Sequence, residues 1–381
     1  MRRIFFLNTR FHSIYGAQAN LLRLAKLYGR DRSVMGTTKE GTFQETCHAI
    51  DLDCQIVKTP DELITFGNQF SKFSTFRKVR ALFQLLWMNL RMLKVLKSES
   101  IEHVVCVDFV AFLFVFLTAK LTGRRTLVYV QGDWNPLPFR MVLGLFADRI
   151  LIIAESIRPQ FNKWWLGAKK VRLLYSGFPF LDLPNRESCR KAFIERHGID
   201  VDSKIVGLVG SITERKGGDI LLESLALMPG NEPHVVVTFF GDVSPGHDAY
   251  YQKLHEIIQR HGLSDRVRFA GFCSQEEMYS CIDLLVLPSR SEGLPSVMIE
   301  ALGSGIPVVA TDVAGAREIV CEPVHGVLVP PDNPGQLATA ISSVLKESTL
   351  ENVETRRTYA RDKFSEKRYV DNFENVLREL S

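Results

Sequence analysis

Two glutamates eight positions apart, Glu292 and Glu300, stand in the run P-S-R-S-E-G-L-P-S-V-M-I-E-A-L-G-S-G-I-P-V-V-A-T at 288–311. The apolar run before it, 283–287, reads as a buried strand. A Gly/Pro loop then leads into a short helix that stops at Gly303 and Gly305, and a second buried strand follows. Glu292 falls in the loop and Glu300 in the helix. If the helix begins near Ser296, then Ser296 and Glu300 share a face. Four residues at about 1.5 Å each put Glu300 roughly 6 Å along the axis from the first-turn amides, about the reach from a diphosphate to the ribose that carries it. The helix start carries about +0.5 charge, which favours a phosphate, and a carboxylate can accept two hydrogen bonds from a ribose diol. Glu292 then faces the group beyond the diphosphate. The pattern implies a nucleotide diphosphate joined to something rich in hydroxyls.

A second constellation is G-S-I-T-E-R-K-G-G-D at 210–219. It leaves an apolar run, enters a helical pattern, and holds two adjacent cations, Arg215 and Lys216, between glycines. Such a turn suits a diphosphate, with backbone amides near the oxygens and Lys216 as a point charge on the leaving group. A solvated surface pair is the plain alternative. Signals in the first half are thinner. Gly16, in Y-G-A-Q-A-N at 15–20, sits where a strand turns into an amphipathic pattern, so the backbone there either approaches a ligand or simply turns. The loop Q-G-D-W-N-P at 131–136 follows a strand; its Asp133 either accepts a proton or orients a hydroxyl, or else caps the next helix.

Strand-like and helix-like runs alternate along the chain. Strand-like runs fall at 3–7, 32–35, 55–57, 103–107, 126–130, 149–153 and 171–174, then at 204–209, 234–240, 267–270, 283–287, 306–310 and 326–329. In the second half the helical runs are 218–228, 248–261, 275–281, 296–302, 314–320 and 334–345, and a last helix at 368–380 follows a break at 363–365. This predicts an α/β protein of two Rossmann-like, doubly wound parallel sheets with helices on both faces. Periodicity lapses at 176–185, which places a linker there. The expected division is 1–180, 181–365, and a C-terminal helix, 366–381, returning to the first domain. With 381 residues, 46% of them hydrophobic, there is material for two cores.

A formal charge of +4 gives only a mild preference for anionic partners and no sign of a nucleic-acid binder. Seven scattered cysteines, with no C-x-x-C, argue for free thiols in a reducing, cytoplasmic setting. The start, M-R-R-I-F-F-L-N, is too briefly apolar for a signal-peptide core and reads as the first strand. The apolar segment 104–121 contains Asp108 and splits into a strand and a helix rather than a membrane span. The helical pattern 74–97 mixes Arg77, Lys78, Arg80, Arg91, Lys94 and Lys97 with Phe83, Leu86, Trp87, Leu90 and Leu93. It is either a core helix with a basic solvated face or an interfacial helix on an anionic membrane, at the inner face of the plasma membrane. The pair Trp164 and Trp165 fits an apolar–aqueous boundary.

The setting E-G-L-P-S-x-x-x-E-A around Glu292 and Glu300, followed by G-x-P-V-V-A-T-D, resembles the retaining glycosyltransferases of the GT-B fold, family four (glycosyl transferases group 1). The likeness takes in the turn G-x-x-x-x-x-K-G at 210–217, Gly241-Asp242, Gly271-Phe272, Leu287-Pro288-Ser289 and G-V-L-V-P-P at 326–331. It is weaker in the first half, where the Gly16 turn fits. The resemblance implies a donor site in the second domain, an acceptor site in the first, and a cleft that closes on a nucleotide sugar. It implies that Glu300 binds ribose, Glu292 binds sugar hydroxyls and Lys216 neutralises the diphosphate. The donor-binding set it outlines is Gly16, Ser211, Arg215, Lys216, Phe272, Glu292, Gly293, Leu294, Pro295, Ser296 and Glu300. Glu292, Lys216 and Asp133 are the candidates for catalytic roles. A UDP- or GDP-sugar would serve as co-substrate without a metal or other cofactor, and anomeric configuration would be retained. The acceptor expected is a glycan or lipid-linked saccharide of a cell-surface polysaccharide such as lipopolysaccharide.

Two positions depart from the family pattern. Ser211 stands where an arginine is usual, and a charge-assisted bond to phosphate is worth on the order of 1.5–3 kcal/mol. Gln131 stands near where a histidine is frequent. They motivate an alternative, a non-catalytic GT-B-like subunit that binds a glycan or stabilises a partner enzyme. A two-domain nucleotide-dependent enzyme of another sort, such as an epimerase or oxidoreductase, ranks last, since no G-x-G-x-x-G follows the first strand. The D-x-D pairs at 51–53 and 200–202 are read as chance.

Overall fold

Among the described residues, thirteen strands pair into two sheets, and every pairing is parallel. The computed structural model describes residues 3–9, 16–60, 63, 74–131, 136–183, 185–228, 234–347 and 351–380. The chain divides into one unit of Met1–Gly177 with Glu366–Ser381 and a second of Phe178–Ser365.

The first unit holds β1 (Arg3–Leu7), β2 (Ser33–Thr37), β3 (Cys54–Ile56), β4 (Ile101–Cys106), β5 (Arg125–Val130), β6 (Arg149–Ile152) and β7 (Val171–Leu173), in the order β3-β2-β1-β4-β5-β6-β7. The order reverses between β1 and β4, so the crossover helices lie on opposite faces on either side of that point. Asp108 explains why the apolar segment 104–121 is not one element. Its carboxylate accepts the Ala111 amide at 2.7 Å and caps the helix Phe109–Leu121. The helix Glu366–Arg378 packs here, with Tyr369, Phe373, Val376 and Leu377 buried on one face. Phe373 meets the Tyr28 ring edge-on at 5.5 Å, and Glu374 pairs with Arg32 at 2.8 Å.

The second unit holds β8 (Lys204–Val209), β9 (Val235–Phe240), β10 (Val267–Gly271), β11 (Leu284–Leu287), β12 (Val308–Thr311) and β13 (Gly326–Val329), in the order β10-β9-β8-β11-β12-β13. β9 and β11 are buried along their whole length because helices cover both faces, which is why they read as unbroken apolar runs rather than alternating ones. The order reverses between β8 and β11, so the chain leaves these two adjacent strands toward opposite faces of the sheet, which makes their carboxyl ends the switch point.

The main differences from the expected elements have local causes. β12 begins two residues late because the Ile306 amide turns back to the Ala301 carbonyl at 2.9 Å and Pro307 has no amide to pair. The helix expected at 314–320 is only Ala316–Ile319, since Gly315 before it takes a left-handed φ of 76°. The helices Arg186–His197 and Glu351–Phe364 lie outside the expected set; both are strongly charged and carry little helical apolar patterning.

Candidate functional site

The loops 210–217 and 288–295 leave β8 and β11 side by side and are laced together. The Arg290 amide donates to the Arg215 carbonyl at 2.8 Å. Gly217 has φ 69°, and a Cβ there would come within 2.0 Å of the Pro288 carbonyl oxygen, so only glycine lets the two loops approach this closely. Lys216 Nζ donates to Glu292 Oε1 at 2.8 Å, Ser289 Oγ donates to the same oxygen at 2.8 Å, and Arg215 pairs with Oε2 at 3.0 Å. The Lys216 and Glu292 side chains are only 13% and 10% exposed. Burial pushes the Glu292 carboxyl upward, but the Lys216 charge and hydrogen bond, with Arg215 and Ser289, outweigh it and hold the group below the usual glutamate value. Glu292 is therefore an ionised carboxylate at neutral pH, set among cations.

A deeper network braces the same loops. Arg290 makes a bidentate pair with Asp219, at 3.0 and 3.1 Å, and reaches Asp332 at 3.0 Å. Asp219 also accepts from Tyr250 at 2.9 Å and Lys253 at 2.8 Å. The sequence gives roles to none of these five residues, although Arg290 and Asp219 lie inside the two motifs.

A cavity of about 600 Å³ adjoins this cluster, lined by Gly210, Ser211, Asp242, Phe272, Met278 and Glu300 among others. Its size suits a nucleoside. Glu300, on the helix Ser296–Gly303, accepts from Tyr279 Oη at 2.7 Å and Gln275 Nε2 at 3.1 Å. Tyr279 is buried, and burial together with the Glu300 charge raises its hydroxyl well above the usual tyrosine value, so it stays a donor. Neither Tyr279 nor Gln275 carried a sequence signal, because both reach Glu300 from another helix. Phe272 is 86% exposed and offers an apolar face at the cavity rim. Pro295, at the N-cap of Ser296–Gly303, supplies no side-chain cap, which leaves the amides at Ser296 and Val297 without a side-chain acceptor. Gly293 and Leu294 are fixed by Gly315, where a Cβ would lie 1.9 Å from the Gly293 carbonyl oxygen.

Two sequence assignments read differently in three dimensions. Lys216 was assigned to a diphosphate and Glu292 to the group beyond it, yet the two form one ion pair. Arg215 belongs to the expected donor-binding set, yet its guanidinium is bonded to Glu292 and to the Ser291 carbonyl at 2.8 Å. In the first unit, Gly16 opens the helix Gly16–Tyr28 with nothing within 4 Å of a built Cβ. Gln131 is a clamp: its Oε1 accepts from Asn20 at 3.0 Å and its Nε2 donates to the Ala17 carbonyl at 3.3 Å. Asp133 lies outside the described residues. Among the described residues, no group of three His, Cys, Asp or Glu side chains could hold a metal ion.

Residues 190–363 match the family described as "Glycosyl transferases group 1". The chain carries a glycosyl transferases group 1 domain. That domain contains both loops, both glutamates and the cavity. Among relatives, the chain is 32% identical over 211 residues to alpha-D-kanosaminyltransferase of Streptomyces kanamyceticus, covering 54% of this chain and 53% of that one. It is 34% identical over 124 residues to the lipopolysaccharide core biosynthesis mannosyltransferase LpsB of Rhizobium meliloti, covering 32% and 35%. The matched stretches thus span about half or less of these relatives' lengths. In structure, Anabaena Alr3699/HepE in complex with UDP superposes with a TM-score of 0.82 at 21% identity, covering 99% of this chain and 100% of that one. Around the group 1 domain, the two parallel-sheet units have the GT-B architecture.

Proposed function

We propose that the protein is a retaining glycosyltransferase that moves a hexosyl group from a UDP- or GDP-sugar to a hydroxyl of a glycan or lipid-linked saccharide in cell-surface polysaccharide assembly. The observation that carries this is the placement, at one switch point of a group 1 domain, of a nucleoside-sized cavity bearing Glu300 beside the buried Glu292–Lys216–Arg215 cluster. The relatives named above support it, acting by their names as glycosyl and mannosyl transferases, as does the UDP bound by the Anabaena protein.

The residues then divide the work as follows. Phe272 packs on the base, and Glu300, held by Tyr279 and Gln275, accepts the ribose hydroxyls. The diphosphate lies at the free amides of Ser296 and Val297 and the backbone of Gly210 and Ser211. Lys216 and Arg215 offset the charge that grows on the leaving oxygen, so the protein itself supplies the positive field. Glu292 accepts sugar hydroxyls. The bond from the anomeric carbon to the diphosphate oxygen breaks, the acceptor oxygen bonds to that carbon on the same face, and the acceptor's proton passes to the departing phosphate. The acceptor is assigned to the first unit, where Gly16 and Gln131 follow β1 and β5 in the chain and Asp133 comes two positions after Gln131 in the sequence. Seven free cysteines support a cytoplasmic site of action.

A screen of nucleotide sugars for thermal stabilisation identifies the donor, because a ligand bound only by the folded state raises the midpoint. With that donor, Glu300→Ala should weaken nucleotide binding roughly 10- to 100-fold, the loss of hydrogen bonds to a charged group. Glu292→Ala should mainly lower turnover. Full activity in both variants would overturn the assignment. A second reading, a non-catalytic subunit, draws on Ser211 and on the engagement of Arg215 by Glu292. Calorimetry separates the two: no binding of UDP or GDP at millimolar concentration favours the subunit.

A further inference from the structure

The charges are unevenly divided. The first unit has 29 Lys and Arg against 17 Asp and Glu, a formal +12, whereas the second has 18 against 26, a formal −8. Six of the first unit's cations lie on the helix Thr75–Ser98, which carries no carboxylate.

This helix is apolar on two opposite faces. The inward face presents Ala81, Met88, Met92 and Leu96, all buried. Asn89 locks that face to the helix Phe109–Leu121, donating to the Leu113 carbonyl at 2.9 Å and accepting the Leu117 amide at 3.1 Å. The outward face is a stripe at helical spacing, Phe76, Val79, Phe83, Leu86 and Leu90; Phe76, Phe83 and Leu90 are 77%, 66% and 69% exposed. The same row continues as Lys94 and Lys97, while Arg80 and Arg91 flank it. Arg91 lies 4.4 Å over the Trp87 ring and donates to the Lys58 carbonyl at 2.8 Å.

The same unit carries a second exposed apolar stripe. The helix Leu137–Phe146 exposes Leu137, Met141 and Leu145 at four-residue spacing. It is joined to Phe109–Leu121 by the stacked rings of Phe109 and Phe139, 4.1 Å apart, and by Phe116 and Phe146, 5.6 Å apart. Among the described residues, fourteen of the eighteen exposed large hydrophobics belong to the first unit; the four in the second, Leu181, Val201, Leu227 and Phe272, are separated in sequence and on different elements. An exposed stripe of five large apolar side chains on one helix face marks a binding surface.

The occupant must be apolar and anionic together. A second copy set face to face would oppose Arg80, Arg91, Lys94 and Lys97 to the same four cations, since a twofold contact meets itself. The acidic second unit of another copy has the charge but no matching apolar face. An anionic lipid surface has both: acyl chains for the stripe and phosphates for the rim. Among the described residues no helix is long and apolar enough to cross a membrane, so the contact is a helix lying in the surface, about 36 Å long at 1.5 Å per residue. We propose that the first unit docks on an anionic bilayer through the outer face of Thr75–Ser98, with the axis parallel to the membrane plane. The inference stands apart from the transferase reading, since none of these residues belongs to the donor site.

Vesicle co-sedimentation of the full chain tests it. The protein should bind vesicles of equal parts phosphatidylcholine and phosphatidylglycerol, and not vesicles of phosphatidylcholine alone, with binding weakened by salt. Phe83→Glu with Leu90→Glu should reduce binding at least tenfold while leaving the melting midpoint and nucleotide binding unchanged, because both side chains are solvent-facing. Lys94→Gln with Lys97→Gln should reduce it about 25-fold, roughly fivefold per cation. No binding to the anionic vesicles, or equal binding by the Phe83/Leu90 variant, overturns the proposal. So does sedimentation velocity showing a dimer that this variant turns into monomers, which would assign the face to a second copy.

Discussion

The Asp219 carboxylate ties the loops 210–217 and 288–295 together through Arg290 and is itself held by Tyr250 and Lys253. Burial raises its pKa, but the hydrogen bonds from Arg290, Lys253 and Tyr250 more than reverse this, bringing it from 3.8 to about 2. The folded state therefore prefers the ionised form. The resulting stabilisation is complete above pH ~4 and is lost as pH falls through about 2; a shift of this size corresponds to about 2 kcal/mol. Asp219→Asn should destabilise the protein by about that much at pH 7, and the gap to the unmodified protein should close at about pH 2. Urea melts at several pH values measure it, and a gap independent of pH would show that Asp219 acts only through packing. The same variant should weaken nucleotide binding, since Arg290 would no longer anchor the loop that carries Glu292.

At the scale of elements, the site depends on two strand-to-helix turns held closer than side chains allow. Gly217→Ala places a Cβ 2.0 Å from the Pro288 carbonyl oxygen in a left-handed backbone conformation. We expect a loss of about 1–3 kcal/mol from the strained backbone alone, and weaker nucleotide binding because the Lys216–Glu292 pair spans the parted loops. Chemical denaturation and calorimetry report the two effects separately; unchanged values in both would mean that the loops adjust freely. Gly293 and Leu294 depend in the same way on Gly315, which belongs to the loop after the next strand. The helix Ser296–Gly303 is short, and its N-cap proline leaves its first amides open. Its stability comes from burial of Met298, Ile299, Ala301 and Leu302 against the sheet rather than from its own caps.

Across the molecule, the chain leaves the first unit at Gly177 and rejoins it at Glu366, so the first unit's core is completed by the last residues of the chain. Phe373 is fully buried against Tyr28 and Phe6. Phe373→Ala should cost about 3–5 kcal/mol and lower the melting midpoint without altering nucleotide affinity, since the cavity lies wholly in the second unit. Thermal melts with and without nucleotide distinguish the units; a changed affinity would show that the two are coupled. The opposite net charges of the units, with the apolar stripe on the basic one, give the protein two chemically distinct bodies. One suits a nucleotide phosphate held by local cations, and the other an extended anionic surface.

The local run of residues determined a good deal by itself. Continuous apolar runs alternating with helical periods require parallel sheets covered on both faces, and the glycine-flanked turns mark where backbone must come close to something. Glu292, Glu300 and Lys216 were identifiable because their motifs are contiguous. Tertiary structure decided what those groups touch. The order β8-β11 brings Lys216 against Glu292 across 76 positions of chain, and a neighbouring helix supplies Tyr279 and Gln275 to Glu300. Arg290 was visible as a residue, yet its partner Asp219 lies 71 positions away. Helical spacing also showed that 74–97 mixes cations with large apolar groups, but could not say which apolar face was already filled. That depended on Asn89 meeting the Phe109–Leu121 helix. Periodicity reports which residues share a face, because backbone geometry is local; it does not report what lies opposite, because that is fixed by strand order.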